Sequence, residues 1–248
     1  MPVPQASVII AAAGAGRRFI EASARRGAGR AAGEASKVFV DLAGRPVLAH
    51  VLSAFAAVEP VVEAIVAVSA DVVEWAGETF GDMAPEGRRL KFIAGGSERF
   101  DSVALALAAS DRGTELVAIH DGVRPLIRPA VIAEALRVAV EYGAAVVGRP
   151  LDHTIKTVAK DGRVAETVPR RGLWMAQTPQ VFRREIISQA YERRGDMVGS
   201  VTDDAQLVEA MGQTVMMVPG DAANLKITTP EDLRVCEAIL AAGWPFET

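Results

Sequence analysis

Short apolar runs alternate along the chain with stretches in which apolar residues recur every three or four positions. The runs "SVIIAA" (7–12), "VVEAIVAVS" (61–69), "LKFIA" (90–94), "ELVAIH" (115–120), "GAAVVG" (143–148) and "QTVMMVP" (213–219) predict strands buried on both faces. Helical spacing predicts helices from about Pro46, near 71–80, near 98–110, after the opening "RPAVIAEAL", and from "TPEDL" (229–233). Strands that are apolar throughout, separated by amphipathic helices, define an α/β protein: a doubly wound, mostly parallel sheet with helices on both faces. The last helix has a complete start signal. Thr229 can cap it, Pro230 suits its first position, and Glu231 and Asp232 complement its positive end.

Two segments break the rhythm. Between "RPLDHTIKTV" (149–158) and "RVAETVPRRGLW" (163–174) stands Asp161-Gly162, a pair that favours a tight hairpin turn, flanked by alternating β-formers. Residues 149–174 are therefore expected to form an antiparallel β-arm projecting from the sheet. An exposed edge of this kind seeks a partner, which suggests a homodimer. Residues 20–36, "IEASARRGAGRAAGEAS", have no apolar stripe and are expected to form a flexible loop, either a disordered insertion or a lid.

The length of 248 residues suits one domain, 1–248, and half the residues are hydrophobic, enough for a sizeable core. Lys and Arg number 27 against 31 Asp and Glu, for a net charge of −4, so no global basic field is available for nucleic acid or an anionic membrane. No run reaches the about 18 apolar residues of a membrane span. The apolar start lacks the basic residues that open a signal peptide, and a cytoplasmic protein is expected. Cys236 is the only cysteine and is expected to be a small buried helix residue.

Candidate chemistry begins where the first strand ends, in "IIAAAGAGRRF" (9–19). A dinucleotide fingerprint fails because Phe19 occupies the place of the third glycine. A P-loop fails because no Lys-Ser or Lys-Thr follows the last glycine. What remains is a glycine turn at the C-terminal edge of a strand, beside Arg17 and Arg18. Backbone N–H groups and guanidiniums there can cradle phosphates, or the segment is a tight turn with two solvated arginines. "GGSERFDSV" (95–103) likewise has two readings: a close-approach ligand loop, or a strand-to-helix turn capped by Ser97. "HDGVRP" (120–125) follows an apolar strand and puts Asp121 in the crevice, where a carboxylate can orient a substrate or share a divalent cation. His50, His120 and His153 show no metal-ligand spacing, which argues against zinc.

In order, "AAAGAGRRF", "KVFVDLAGRPVLAH" (37–50), "GGSERFDSV", "HDGVRP", "GLWMAQTPQVF" (172–182) and "NLKITTPEDL" (224–233) resemble the 2-C-methyl-D-erythritol 4-phosphate cytidylyltransferases over nearly the whole chain. The resemblance implies a Rossmann-like nucleotidyltransferase fold. It implies transfer of a cytidylyl group from CTP to an alditol phosphate, giving the CDP-alcohol and pyrophosphate in non-mevalonate isoprenoid biosynthesis, with Mg²⁺ or another divalent cation. It assigns Arg18 and Lys37 to the triphosphate, and Arg170 and Lys226 to the phosphate of the incoming alcohol. Ala12, Ala13, Gly14, Gly16, Gly96, Ser102 and Gly122 fall to the nucleotide, Arg124, Thr154 and Thr178 to the alcohol, and Asp121 to catalysis and the metal. Such chemistry needs no general base, because the attacking phosphate oxygen is already anionic. It needs cations converging on one phosphorus. A cytidylyltransferase for ribitol 5-phosphate is the alternative.

Three departures stand out. The loop after Arg18 is longer than the family's, and Ser36-Lys37-Val38 replaces its usual Lys-Gln. In the arm, Asp152-His153-Thr154 puts His153 where an acid is usual, so binding of the alcohol is expected to vary with pH near neutrality.

Overall fold

The structure, a computed structural model, describes residues 2–14, 19, 36–196 and 201–244. Gly16, Arg18 and the expected lid over 20–35 lie outside them.

Besides a two-residue pair at Asp41–Leu42 and Arg45–Pro46, the strands among the described residues are β1 (Ala6–Ala11), β2 (Val61–Val68), β3 (Arg89–Ala94), β4 (Leu116–Asp121), β5 (Ala144–Pro150), β6 (Ile155–Val158), β7 (Val164–Val168), β8 (Trp174–Arg183) and β9 (Met216–Pro219). The helices are α1 (Val47–Ala56), α2 (Val73–Phe80), α3 (Arg99–Ala109), α4 (Pro129–Tyr142), α5 (Arg184–Glu192), α6 (Asp204–Ala210) and α7 (Pro230–Ala241). Seven strands form one sheet in the order β9-β5-β8-β4-β1-β2-β3, parallel except for β8, which runs antiparallel to both its neighbours.

Alternation along β1 explains the two layers of helix. Val8 and Ile10 face a core built with α1, α2, α4 and α7, while Ile9 faces a second core built with α3, α5 and α6. All three side chains are fully buried, a contribution of about 1.5–3 kcal/mol each. The chain steps from β1 through β2 to β3 on one side and resumes at β4 on the other. The crevice above the C-terminal ends of β1 and β4 is therefore the switch point at which such sheets bind ligands.

The predicted strands and helices are present. Thr229 caps α7 by accepting from the Asp232 amide at 3.3 Å, with Pro230 next. Cys236 is buried in α7, and burial, with Asp232 and Glu237 nearby, pushes its thiol up to about 11. The arm is a hairpin of β6 and β7, in which Gly162 takes φ +86°, a backbone state that favours glycine at the turn. One local expectation fails. The N-cap of α3 is Glu98, not Ser97, whose hydroxyl donates instead to Asp101 at 2.7 Å.

Candidate active site

The site begins with small residues. Ala12, Ala13 and Gly14 leave β1 as an unbulky rim. Opposite them lies the β3–α3 turn, in which a Cβ on Gly96 would stand 2.3 Å from that of Asp101. The turn itself thus demands glycine there, and Ser102 fastens it by accepting from the Gly96 amide at 3.1 Å and donating to the Glu98 carbonyl at 3.0 Å. Between rim and turn opens a cavity of roughly 310 Å³, whose walls include Lys37, Gly96, Arg99, Ser102, Asp121 and Lys226. Lys37 is held over it by a clamp: two residues on, the Phe39 ring packs edge-on against Trp75 at 4.9 Å and stacks on Phe80 at 6.0 Å.

A second cavity of roughly 240 Å³ adjoins the first, lined among others by Arg124, Gln177, Thr178 and Asp203. Arg99, Asp121 and Lys226 line both. Asp121, at the end of β4, is the hub: Lys226 Nζ stands 2.9 Å from one carboxylate oxygen, which Arg124 Nε also approaches at 3.3 Å, and Arg99 Nε lies 3.3 Å from the other. Burial opposes ionisation of this carboxyl. The three cations override it and hold Asp121 far below the usual carboxylate range. Burial likewise lowers Arg124, against the pull of Asp121.

Arg99 escaped the sequence reading. A second carboxylate fixes it, since Arg99 Nη2 donates to Asp204 at 2.7 Å, and Asp204, fully buried, also accepts from the Tyr191 hydroxyl at 2.6 Å. Burial would lower the Arg99 pKa, yet Asp204 and Asp121 raise it overall. Removing one partner of a buried pair leaves the other uncompensated, at about 3–5 kcal/mol. Asp204→Ala is therefore expected to lower Tm by about 6–20 °C, read by calorimetry. A fall under about 2 °C would show that the pair does not secure α6 to α3.

The other candidate residues are placed as follows. Gly122 lies against β1, its amide donating to the Ala11 carbonyl at 3.0 Å, and it lines neither cavity. Thr154 and Arg170 stand exposed on the arm outside both cavities, Arg170 donating to the Asp152 carbonyl. His153 is exposed beside Asp152. Among the described residues no cluster of three or more His, Cys, Asp or Glu could hold a metal ion.

Small residues rim a cavity at the switch point of a doubly wound sheet, and cations gather where two cavities meet, an arrangement that suits a nucleotidyltransferase. The family profile IspD, 2-C-methyl-D-erythritol 4-phosphate cytidylyltransferase, matches residues 6–242. The enzyme of that name from Caldanaerobacter subterraneus subsp. tengcongensis is 42% identical over 205 residues, 83% of this chain and 90% of its own. The crystal structure of 4-diphosphocytidyl-2C-methyl-D-erythritol synthase from Anaerococcus prevotii superposes with a TM-score of 0.79 at 28% identity, covering 96% of each chain. That of 2-C-methyl-D-erythritol 4-phosphate cytidylyltransferase from Thermus thermophilus gives 0.73 at 32% identity, covering 96% of this chain and 99% of that one. The chain belongs to the 2-C-methyl-D-erythritol 4-phosphate cytidylyltransferase family.

Proposed function

We infer that this enzyme transfers the cytidylyl group of CTP to 2-C-methyl-D-erythritol 4-phosphate in isoprenoid biosynthesis, releasing pyrophosphate and the CDP-alcohol. The observation that carries the reading is the junction of two cavities at Arg99, Asp121 and Lys226. The nucleotide occupies the larger cavity, with its base toward Gly96 and Ser102 and its triphosphate toward Lys37 and, by the family resemblance, Arg18. The alcohol phosphate enters the smaller one, where Lys226 and Arg124 draw its anionic oxygen into line with the α-phosphorus. Positioning and charge stabilisation then do the catalysis. Coupled release of pyrophosphate tests this. Turnover is expected with CTP and methylerythritol phosphate, and turnover on ribitol 5-phosphate alone would overturn it.

Asp121 is the carboxylate the junction offers to a cation, with one oxygen accepting from Arg99 at 3.3 Å and the other paired with Lys226 and Arg124. One carboxylate fits Mg²⁺, which takes most of its ligands from phosphates and water. Held by Asp121 and the triphosphate, the ion would neutralise nucleotide charge. Chelation with EDTA is expected to abolish turnover and added Mg²⁺ to restore it.

The arm supports a homodimer. Val158 and Val164 are 58% and 59% exposed on β6 and β7, an apolar edge suited to a second copy, which would also bring Thr154 and Arg170 to a site. Val158→Lys combined with Val164→Lys is expected to give monomers in sedimentation runs, with a raised KM for the alcohol. A dimer that persists would refute this use of the arm. We place the enzyme in the cytoplasm, because its one buried thiol needs no oxidising compartment. No helix among the described residues is long and apolar enough to cross a membrane.

A further inference from the structure

Lys226 carries its charge on a flexible four-carbon stem, and the backbone beneath it, residues 220–229 between β9 and α7, forms neither helix nor strand. A side-chain amide does the fastening there. Asn224, two positions earlier and 1% exposed, donates from Nδ2 to the Thr178 carbonyl at 2.9 Å and to Gln177 Oε1 at 3.1 Å. Gln177 completes the clasp, because its Nε2 donates to the Asp221 carbonyl at 2.9 Å. Both amides can face only one way. The Asp221 and Thr178 carbonyls accept and cannot donate, so each side chain turns its nitrogen toward them, and Gln177 is left presenting its oxygen to Asn224.

The clasp joins two walls of the smaller cavity, since Gln177 and Thr178 line it from β8 and Lys226 lines it from the segment. Other bonds hold the ends of that segment. Ile227, fully buried, donates its amide to the Val123 carbonyl at 2.9 Å, and Arg128 grips the Asp221 carboxylate at 2.7 and 3.0 Å. Arg124 ties the middle to the hub. Its Nη1 donates to the Asn224 carbonyl at 2.9 Å, while its Nε approaches Asp121 at 3.3 Å. Lys226 thus springs from backbone fixed on either side, with the Asn224 side chain reaching across to β8.

We propose that Asn224 is a positioning residue: clasped by Gln177 and the Thr178 carbonyl, its amide sets where the Lys226 ammonium stands at the junction of the two cavities. This role rests on the reading of Lys226 as a cation of the reacting centre. Asn224 lines neither cavity, so its effect on the reaction passes through what it holds. A charge helps a transition state only from the right place, and a displacement of about 1 Å in a reacting geometry can cost about 10²-fold in rate. Without the clasp the ammonium remains, but its stem is free to sample other positions.

Asn224→Leu keeps the branched outline of the side chain and removes both donors. In the full-length enzyme its kcat is expected to fall about 10- to 100-fold, with KM for CTP held within about threefold. A kcat within about threefold of the parent overturns the proposal. The milder Asn224→Ser is expected to lose about 5- to 20-fold and carries the same tests should leucine prevent folding. A double-mutant cycle separates placement from packing. If the amide acts through the ammonium, removing it beside Lys226→Met costs less than about twofold further, because no charge remains to be misplaced. A loss of the same size in both backgrounds shows that Asn224 acts elsewhere and overturns the role. A crystal structure of either Asn224 variant needs no turnover. The ammonium is expected to leave hydrogen-bonding reach of Asp121, and finding it still 2.9 Å away overturns the role. Lys226→Met alone tests the reading beneath. If its kcat is unchanged, Lys226 is no part of the reacting centre, while the crystal structure still decides whether the amide places it.

Discussion

Replacing Lys226 with methionine is expected to lower kcat by about 10²–10³-fold, the usual cost of removing one preorganised charge from a reacting centre. Of the three cations around Asp121 the Lys226 ammonium stands nearest, at 2.9 Å, and it lines both cavities, where the proposed function brings an oxygen of one substrate to the phosphorus of the other. Methionine keeps much of the stem and removes only the charge. If Lys226 acted on ground-state binding alone, KM would rise and kcat would stand. Steady-state kinetics with each substrate varied in turn separate the two. A kcat within about threefold of the parent would remove Lys226 from the transition state.

Asp121→Asn is expected to be at least as damaging, with kcat down by about 10³-fold. The amide preserves shape but leaves Arg99, Arg124 and Lys226 converging on a neutral group, and removes the carboxylate that would share a cation with the triphosphate. Stability supplies an independent readout. The folded pKa of Asp121 is depressed, so its ionisation favours the folded state at all pH values above the unfolded value of about 3.9. That contribution fades as the pH falls below about 4 toward the folded pKa. The variant should therefore lose stability at pH 7 and show a shallower acid denaturation than the parent. Parallel acid titrations of equal slope would mean that the hub does not bias folding.

The doubly wound sheet was legible because its strands are buried on both faces and so carry uninterrupted apolar runs. Strand β8 was not. "WMAQTPQVFR" contains Pro179, which argues against a central strand. The sheet tolerates it because pairing with β5 shifts register between Ala176 and Gln180, where Thr178 leaves the regular ladder and turns to His120 and Asp121. Helix α6 is only seven residues long and too short to show a period. Lys37, Asp121 and Lys226 could be named because family motifs frame them. Arg99 stands inside such a motif and was passed over, since what distinguishes it is Asp204, 105 positions away and fully buried. A lone Asp-Asp pair in "TDDAQL" gives no warning of burial. His120 was weighed only as a metal ligand. Its partners are a carbonyl and a hydroxyl that no spacing rule connects.

The thin partition between the two cavities has a practical side. Only a few side chains separate them, so one compound with a pyrimidine head and a short anionic tail could span both. Tethered fragments need not find each other in solution, and the second docks at the local concentration set by its linker. Modest individual affinities would then multiply, and such an inhibitor would grip the same residues to which the proposed function assigns turnover.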